Sequence, residues 1–185
     1  SHGSAFAYIA CLRLCIRAFS GLFVQNLDTE NDLLHVLSAI KNIPSLLERI
    51  RLFTELALRF REAKRLDKLD EIVGKKLKTS LEKIAYTDGL ARDLAIIAAA
   101  PALYLSHPAS AFALIATISS SEQRDKAYRQ ICSYIITKCY NDPYQVSGCN
   151  RGEKLTHDEI IDLINILNRV DEDVFIYGII SEITE

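Results

Sequence analysis

Two pairs of adjacent arginine and aspartate residues could act together as charged groups in catalysis. They are Arg92-Asp93 and Arg124-Asp125, which lie 32 residues apart. A cation beside a carboxylate can stabilise a developing charge while the carboxylate accepts a proton. Neighbouring residues on a helix, however, point about 100° apart and do not face each other. Because the pair also recurs, we expect each arginine to have a structural role. It would bind backbone carbonyls or a carboxylate of a neighbouring repeat unit of the chain.

The cysteines could hold a metal ion or form disulfides. Cys11 and Cys15 lie one helical turn apart, which is a spacing that metal ligands use, but each is surrounded by leucine and isoleucine. We therefore predict that they are core thiols. The chain has five cysteines, an odd number without a compact disulfide framework, which favours a reducing compartment. We expect a cytoplasmic protein, or one in a host cytosol if it is a secreted effector, with no metal and no cofactor.

One functional hypothesis is an all-helical enzyme or small-ligand-binding domain with a pocket near His107 and Cys132. Tyr104 and the loop around Cys149 would complete its lining. His107 precedes Pro108 at a predicted helix start, where a cap or turn role is commoner than general-base catalysis. The chain contains no phosphate-binding glycine loop, no G-x-S-x-G and no H-E-x-x-H motif. The sequence therefore identifies no catalytic residue.

The composition indicates long helices as the elements that carry these residues. Hydrophobic residues make up 49% of the chain and charged residues 25%, with only seven glycines and four prolines to form turns. We predict an all-α fold of about eight to nine helices in a single domain over residues 5–185. The first four residues, Ser-His-Gly-Ser, resemble a tag remnant, and the absence of methionine favours a fragment of a longer protein.

Apolar periodicity and capping residues predict where these helices begin and end. Pro44 is expected at the first helical position, Gly74 as a weak point within a helix, and Pro101 as a kink or a helix end. Residues 141–155 form the one sizeable predicted loop, of a length that is often functional or disordered. The predicted helices cover residues 5–24, 33–41, 44–63, 66–85, 90–103, 108–118, 121–140, 160–170 and 171–183.

The first predicted helix, residues 5–24, is apolar enough to raise the question of a membrane segment. Arg13 and Arg17 lie in its middle and would be costly at the centre of a bilayer. We predict a soluble helix whose narrow polar stripe consists of Arg13, Arg17 and Ser20. A membrane-surface helix, a partner-docking helix and self-association through this helix are the alternatives.

The charge is distributed unevenly along the chain. Residues 59–83 hold nine Lys/Arg against five Asp/Glu, whereas residues 153–185 hold two against nine. Because acidic residues are interleaved within the basic stretch and its one aromatic residue, Phe60, is predicted to face inward, it is typical of a solvated helix face. We do not expect nucleic-acid binding.

A recurring pattern organises the chain. Counting from Ile118, an arginine stands at +6 and apolar or small residues follow at +9, +10, +13, +14 and +17, which is the spacing of one helix face. Ile43 and Tyr86 begin further copies with Arg49 and Arg92 at +6, and Val170 begins a weaker copy. The intervals between these origins are 43, 32 and 52 residues. The pattern predicts a two-helix module in about four imperfect copies.

The module resembles the degenerate helix-turn-helix repeats of the tetratricopeptide and HEAT-like superhelical class, which occur in many bacterial proteins. The resemblance is carried by a short helix with an apolar end, a two- to three-residue turn and a helix with Arg-Asp-x-Ala. It covers residues 33–183 and is strongest at 91–100 and 113–135. It implies an irregular array of antiparallel helix pairs, either a superhelix or a compact bundle.

The resemblance also implies a protein-interaction role, because stacked pairs form extended concave faces. We expect a non-catalytic protein-binding or scaffold domain of a bacterial effector or regulator. Arginine and aromatic side chains dominate many binding interfaces. The candidate partner-binding residues are Arg124, Tyr128, Tyr134, Tyr144 and Arg151, of which Tyr128 also fits the core pattern.

Overall fold

The fold is all-α, which confirms the predicted fold class. A computed structural model describes residues 2–24, 30–85, 89–137, 154–171, 176–177 and 180, and these residues form helices and no strand. The helices are α1 His2–Val24, α2 Glu30–Lys41, α3 Leu46–Glu62, α4 Leu66–Glu71, a π-helical segment Ile72–Leu77, α5 Lys78–Ala85, α6 Gly89–Ser106, α7 Pro108–Ile115, α8 Ser121–Thr137 and α9 His157–Leu167.

The chain divides into two compact units, Ser1–Ala95 and Ile96–Glu185. The boundary falls within α6. The expectation of a single domain over residues 5–185 stays a prediction. Most of the predicted last helix and most of the predicted loop at residues 141–155 lie outside the described residues, as does the second predicted module origin, Tyr86.

Helix α3 is the centre of the first unit. It packs against α1, α2, α4, α5 and the π-helical segment. A helix with neighbours on so many sides must be apolar nearly all round, and every residue of α3 from Leu52 to Leu58 is buried. Burial of one large aliphatic or aromatic side chain contributes about 1.5–3 kcal/mol. The first unit is therefore built around this helix.

The two ends of α3 show how the chain starts and stops a helix. Ser45 is the N-cap, and its side chain accepts a hydrogen bond from the Glu48 amide at 3.3 Å. Pro44 lies before this cap, so the prediction that it occupies the first helical position is wrong. At the other end, Lys64 adopts a left-handed conformation with φ 58°. The amides of Lys64 and Arg65 bind the carbonyls of Arg61 and Phe60, which satisfies two acceptors of the last turn.

The predicted helix over residues 66–85 is continuous but changes its winding in the middle. Between α4 and α5, residues 72–77 form the π-helical segment, which contains Gly74. Leu69, Ile72, Val73 and Leu77 are buried along this stretch. No neighbouring atom lies within 4 Å of where a Gly74 side chain would begin. The sequence identified the irregular position but not its π-helical form.

Helix α6 continues past its proline. Of the two predicted effects of Pro101, a kink or a helix end, the helix end is wrong, because α6 extends to Ser106. Residues 99–104 are all buried, so packing against the second unit's interior holds this part of the helix. Tertiary packing of this kind outweighs the loss of one backbone hydrogen bond at a proline.

In the second unit the predicted helix starts agree well with the structure. Pro108 is at the start of α7, as expected for a residue without an amide proton. Ser120 accepts a hydrogen bond from the Gln123 amide at 3.3 Å at the start of α8. The predicted capping box of Thr156 and Glu159 is present in both directions at the start of α9. Helices α8 and α9 pack against each other.

Candidate functional sites

Two arginines make the same contact in the two units. The guanidinium of Arg49 donates hydrogen bonds to the carbonyls of Ile43 and Pro44. The guanidinium of Arg124 donates to the carbonyls of Ile118 and Ser119, at 2.7 and 3.1 Å. In both cases the acceptors lie six and five residues before the arginine, in the turn that precedes its helix. Each arginine thus fixes the turn between two helices.

The surroundings of these arginines also agree position by position. The turn residues Ile43 and Ile118 are both buried, and each donates its amide to the carbonyl three residues earlier. Both helices then bury the predicted face at +9, +10, +13, +14 and +17. In α3 these residues are Leu52, Phe53, Leu56, Ala57 and Phe60, and in α8 they are Ala127, Tyr128, Ile131, Cys132 and Ile135.

A polar contact joins α8 to the residue after the next turn. The carboxylate of Asp125 is fully buried and accepts a hydrogen bond from the Asp171 amide at 3.0 Å. The guanidinium of Arg124 lies 3.4 Å from the Asp171 carboxylate. Val170, the fourth predicted module origin, is buried beside this contact and donates its amide to the Leu167 carbonyl. The predicted structural role is confirmed for Arg124.

The Arg92-Asp93 pair behaves differently. The Arg92 guanidinium lies 3.3 Å from the carboxylate of its own neighbour, Asp93. The expectation that adjacent residues on a helix do not meet is wrong at this pair, because the long arginine side chain can fold back across the 100° between the two Cβ directions. A contact from Arg92 to a neighbouring module stays a prediction.

The candidate partner-binding residues occupy different environments. Tyr128 and Tyr134 are only 5% and 6% exposed, so nearly all of their surface packs in the interior. Arg124 is half-buried and engaged with the turn described above. Tyr144 and Arg151 lie outside the described residues. Partner binding by these five residues stays a prediction.

An aromatic cluster lies beside Tyr128. The Phe112 ring lies 5.7 Å from the Tyr104 ring and 6.2 Å from the Tyr128 ring, measured between centroids. The Arg169 guanidinium stacks 4.2 Å from the Phe112 centroid, a cation–π contact. These rings connect α6, α7 and α8.

Burial governs the acidity of the two phenols in this cluster. It raises the pKa of Tyr104 well above its usual value, and the nearby carboxylate of Asp162, which accepts a hydrogen bond from the phenol, raises it further. Burial also raises the pKa of Tyr128, while the charge of Arg169 acts in the opposite direction. Both phenols are therefore neutral hydrogen-bonding groups at physiological pH.

His107 and Cys132 do not share an environment. His107 is exposed and caps α7: its Nδ1 accepts a hydrogen bond from the Ser110 amide at 3.3 Å. This confirms the predicted cap role. Cys132 is fully buried in α8, and Cys149 lies outside the described residues. A pocket that uses both His107 and Cys132 stays a prediction.

Helix α1 buries one residue of its predicted polar stripe. Arg13 is 8% exposed and forms an ion pair of 3.5 Å with Glu55 of α3, which is itself buried. The predicted polar stripe does not face solvent at Arg13, and the side chains of Arg17 and Ser20 lie outside what the structure describes. Cys11 and Cys15 are exposed, so the prediction of core thiols is wrong.

The exposed side of α1 is apolar. Phe6 and Leu14 are 57% and 63% exposed, and Tyr8 is 47% exposed. We call Phe6, Tyr8, Cys11, Leu14 and Cys15 the outer face of α1. Within residues 5–16 the one charged residue is Arg13, which is buried. By helix geometry it lies on the side opposite Tyr8, Cys11 and Cys15, and nearly in line with Phe6, which is about two turns closer to the start of the helix. A buried carboxylate on α3 explains this orientation, because Glu55 requires a cation.

A groove in the first unit collects positive charge. It lies between α2, α3 and the stretch formed by the π-helical segment and α5, and its volume is about 400 Å³. Its apolar lining comes from Leu34, Leu37 and Phe53. Five cationic side chains line it, and none of its lining residues is acidic: Lys41, Arg49, Lys75, Lys76 and Lys83. We call these residues together the basic groove.

Two further features of the described residues bear on ligands and membranes. No group of three or more histidine, cysteine, aspartate or glutamate side chains among them is arranged to hold a metal ion. Helix α6 alone among them is long and apolar enough to cross a membrane, and 44% of it is buried within the fold. Buried core helices pass the same test of length and composition.

Comparison with known proteins adds no relative: no family model matches the chain, and no curated protein or solved structure matches it significantly. The fold class and the sites described above therefore carry the functional argument.

Proposed function

We propose that this chain is a helical domain that binds another protein, with the outer face of α1 as its docking surface. The observation that carries the proposal is the orientation of α1. A helix on the surface of a globular protein normally places its apolar side inward and its charges outward. Here the exposed residues are apolar or thiol-bearing, while the charged residue is inside.

An exposed apolar surface of this kind is a typical feature of interaction sites. Phe6 and Tyr8 provide aromatic contact area, and ordering their side chains on binding costs little conformational entropy. Leu14 lies about two helical turns further along and extends this surface. Residues 12–16 of the helix are held by the buried Arg13–Glu55 pair and by Leu12 and Ile16. Leu14 and Cys15 are thus presented on a packed stretch, which lowers the entropy lost on binding, whereas residues 5–8 extend beyond it with their side chains exposed.

The proposal includes membership of the tetratricopeptide and HEAT-like superhelical class. The support is the agreement between α2–α3 and α7–α8 in turn contacts, capping serines and buried positions. Proteins of that class bind other proteins through faces formed by successive helices. A bacterial effector or regulator remains the source that we propose for the domain.

Photo-crosslinking would test the docking surface. A benzoylphenylalanine photo-crosslinker would replace Phe6 in cells of the source organism, and the same residue at Leu90 would serve as the control, because Leu90 is 62% exposed but lies on α6. We expect a discrete crosslinked partner from position 6 only. The partner should be lost when Leu14→Ser and Tyr8→Ser are added, and Leu66→Ser should leave it unchanged.

Three results would contradict the proposal. Crosslinks of equal yield from positions 6 and 90 would show that no specific surface exists. A dimer in sedimentation that Leu14→Ser dissociates would assign the outer face to self-association. Flotation with lipid vesicles that depends on Phe6 and Leu14 would assign it to a membrane surface.

Tyr144 and Arg151 need a separate test. Recovery of the identified partner by the chain carrying Tyr144→Ala and Arg151→Ala would be compared with recovery by the unmodified chain. A reduced yield would add these residues to the binding site, and an unchanged yield would remove them from it.

A further inference from the structure

The basic groove has an unusual balance of charge for a protein that is nearly neutral. The whole chain has a formal net charge of -2, yet the groove gathers five cations without an acidic lining residue. They come from three separate parts of the first unit: Lys41 ends α2, Arg49 is in α3, and the remaining three lie between residues 75 and 83. Like charges held together repel one another unless an anion compensates them.

The internal compensation of these cations is incomplete. Lys75 lies 3.5 Å from Glu71, and Arg49 donates to the carbonyls of Ile43 and Pro44. Within the described part of the chain, Lys41, Lys76 and Lys83 form no ion pair. Three ammonium groups at the groove are therefore available to an anionic ligand.

The shape of the helix adds a second, independent indication. Lys75 and Lys76 lie in the π-helical segment, and π-helical turns occur frequently at functional sites. Ser80 and Thr79 follow on the same stretch, and each donates its hydroxyl hydrogen to a backbone carbonyl at 2.8 Å. Their hydroxyl hydrogens are therefore already bound within the helix, so the cationic side chains provide the contacts to an anion.

We propose that the basic groove binds a small soluble molecule that carries several phosphate groups. Lysine ammonium groups bind phosphate as point charges, and a volume of about 400 Å³ is in the range of small-ligand sites. The groove offers little stacking surface for a nucleic acid, because its aromatic residue, Phe53, is only 5% exposed. The site contains no residue of α1 and is independent of the proposed protein-docking surface.

Calorimetric titration with inositol hexakisphosphate and with inorganic pyrophosphate would test the site. The variant Lys76→Ala/Lys83→Ala removes two exposed groove cations. The variant Lys78→Ala/Lys154→Ala removes two exposed lysines that do not line the groove, with the same change in net charge. We expect the groove variant to weaken hexakisphosphate binding by about tenfold or more, and the control to change it by less than about twofold.

A steric variant separates shape from charge. Ser38 lines the groove on the exposed side of α2, so Ser38→Trp would fill it without altering any charge. We expect this variant to weaken binding by about tenfold as well. Circular dichroism and thermal unfolding without ligand would show that each variant is folded, because all the substituted residues are exposed.

Four outcomes would overturn the proposal. They are equal weakening by the groove and control variants, the absence of binding by either phosphate compound, binding of an acidic peptide in their place, and binding only to vesicles that contain phosphoinositides. The first would indicate non-specific attraction to the whole surface. The last two would assign the groove to a protein segment or to a lipid headgroup.

Discussion

The helix pairs α2–α3 and α7–α8 share their local contacts but differ in what their second helices bury. Both have an isoleucine in the turn, a serine cap two residues later and an arginine that binds the turn carbonyls. At the position after the arginine, however, α3 has Ile50 and α8 has Asp125, and both are fully buried. The same backbone arrangement thus accommodates an apolar contact in one unit and a hydrogen-bonded carboxylate in the other.

A second difference lies five residues further along. Glu55 of α3 is buried against Arg13 of α1, whereas the equivalent residue of α8, Gln130, is half-buried. The shared positions form the turn and the face that packs inside, and the differing positions select which additional element is bound. In the first unit that element is α1, and in the second it is the segment at Asp171.

The largest expected effect comes from the buried ion pair. Glu55→Ala leaves Arg13 as an uncompensated buried charge and should lower the free energy of unfolding by about 3–5 kcal/mol. The equivalent change in the other pair, Gln130→Ala, should cost less than about 0.5 kcal/mol. Denaturant unfolding measures both. The double variant Arg13→Met/Glu55→Leu should regain most of the loss, and equal losses at Glu55 and Gln130 would contradict the comparison.

Exchanging the residue after the arginine should have an intermediate effect. Asp125→Ile places the first unit's residue in the second unit and removes the acceptor of the Asp171 amide. We expect a loss of about 1–3 kcal/mol and faster hydrogen exchange of that amide. The conservative change Ile50→Val should cost about 0.5–1.5 kcal/mol. An Asp171 amide that stays protected in Asp125→Ile would show that another group satisfies it.

The smallest effect should come from the arginines that the two pairs share. Arg49→Met and Arg124→Met each remove hydrogen bonds to turn carbonyls at half-exposed positions, and each should cost about 1 kcal/mol. Because Arg124 also meets Asp171, a double-mutant cycle with Asp171→Ala should give a coupling of about 0.2–1 kcal/mol. Losses that differ by more than about 2 kcal/mol between Arg49 and Arg124 would show that the two turns are not equivalent.

Much of the fold could be predicted because its signals are local. The capping box at Thr156, the proline at the start of α7 and the buried face of α8 each depend on residues within a few turns of one another. Local sequence does not, however, determine how a long helix is held by its neighbours. The continuation of α6 past Pro101 and the π-helical segment depend on packing, so periodicity alone could not predict them.

The candidate sites were less predictable because they depend on contacts that are distant in sequence. Arg13 is an ordinary surface residue by local pattern, and only the buried Glu55 on another helix explains why it faces inward. Likewise, the basic stretch at residues 59–83 is interleaved with acidic residues along the sequence, but the groove also receives Lys41 and Arg49 from other helices. A buried glutamate within the apolar run of α3 was the one sequence signal that could have indicated a partner for α1.

The Arg13–Glu55 pair has a consequence for how α1 can move. Rolling the helix about its long axis would bring Leu14 toward the interior, where the hydrophobic effect favours it, but it would separate the two opposite charges and leave Glu55 alone. The ion pair therefore restricts rotation of α1 about its long axis. The whole helix can still slide or detach, but it cannot bury its exposed apolar side by rotating.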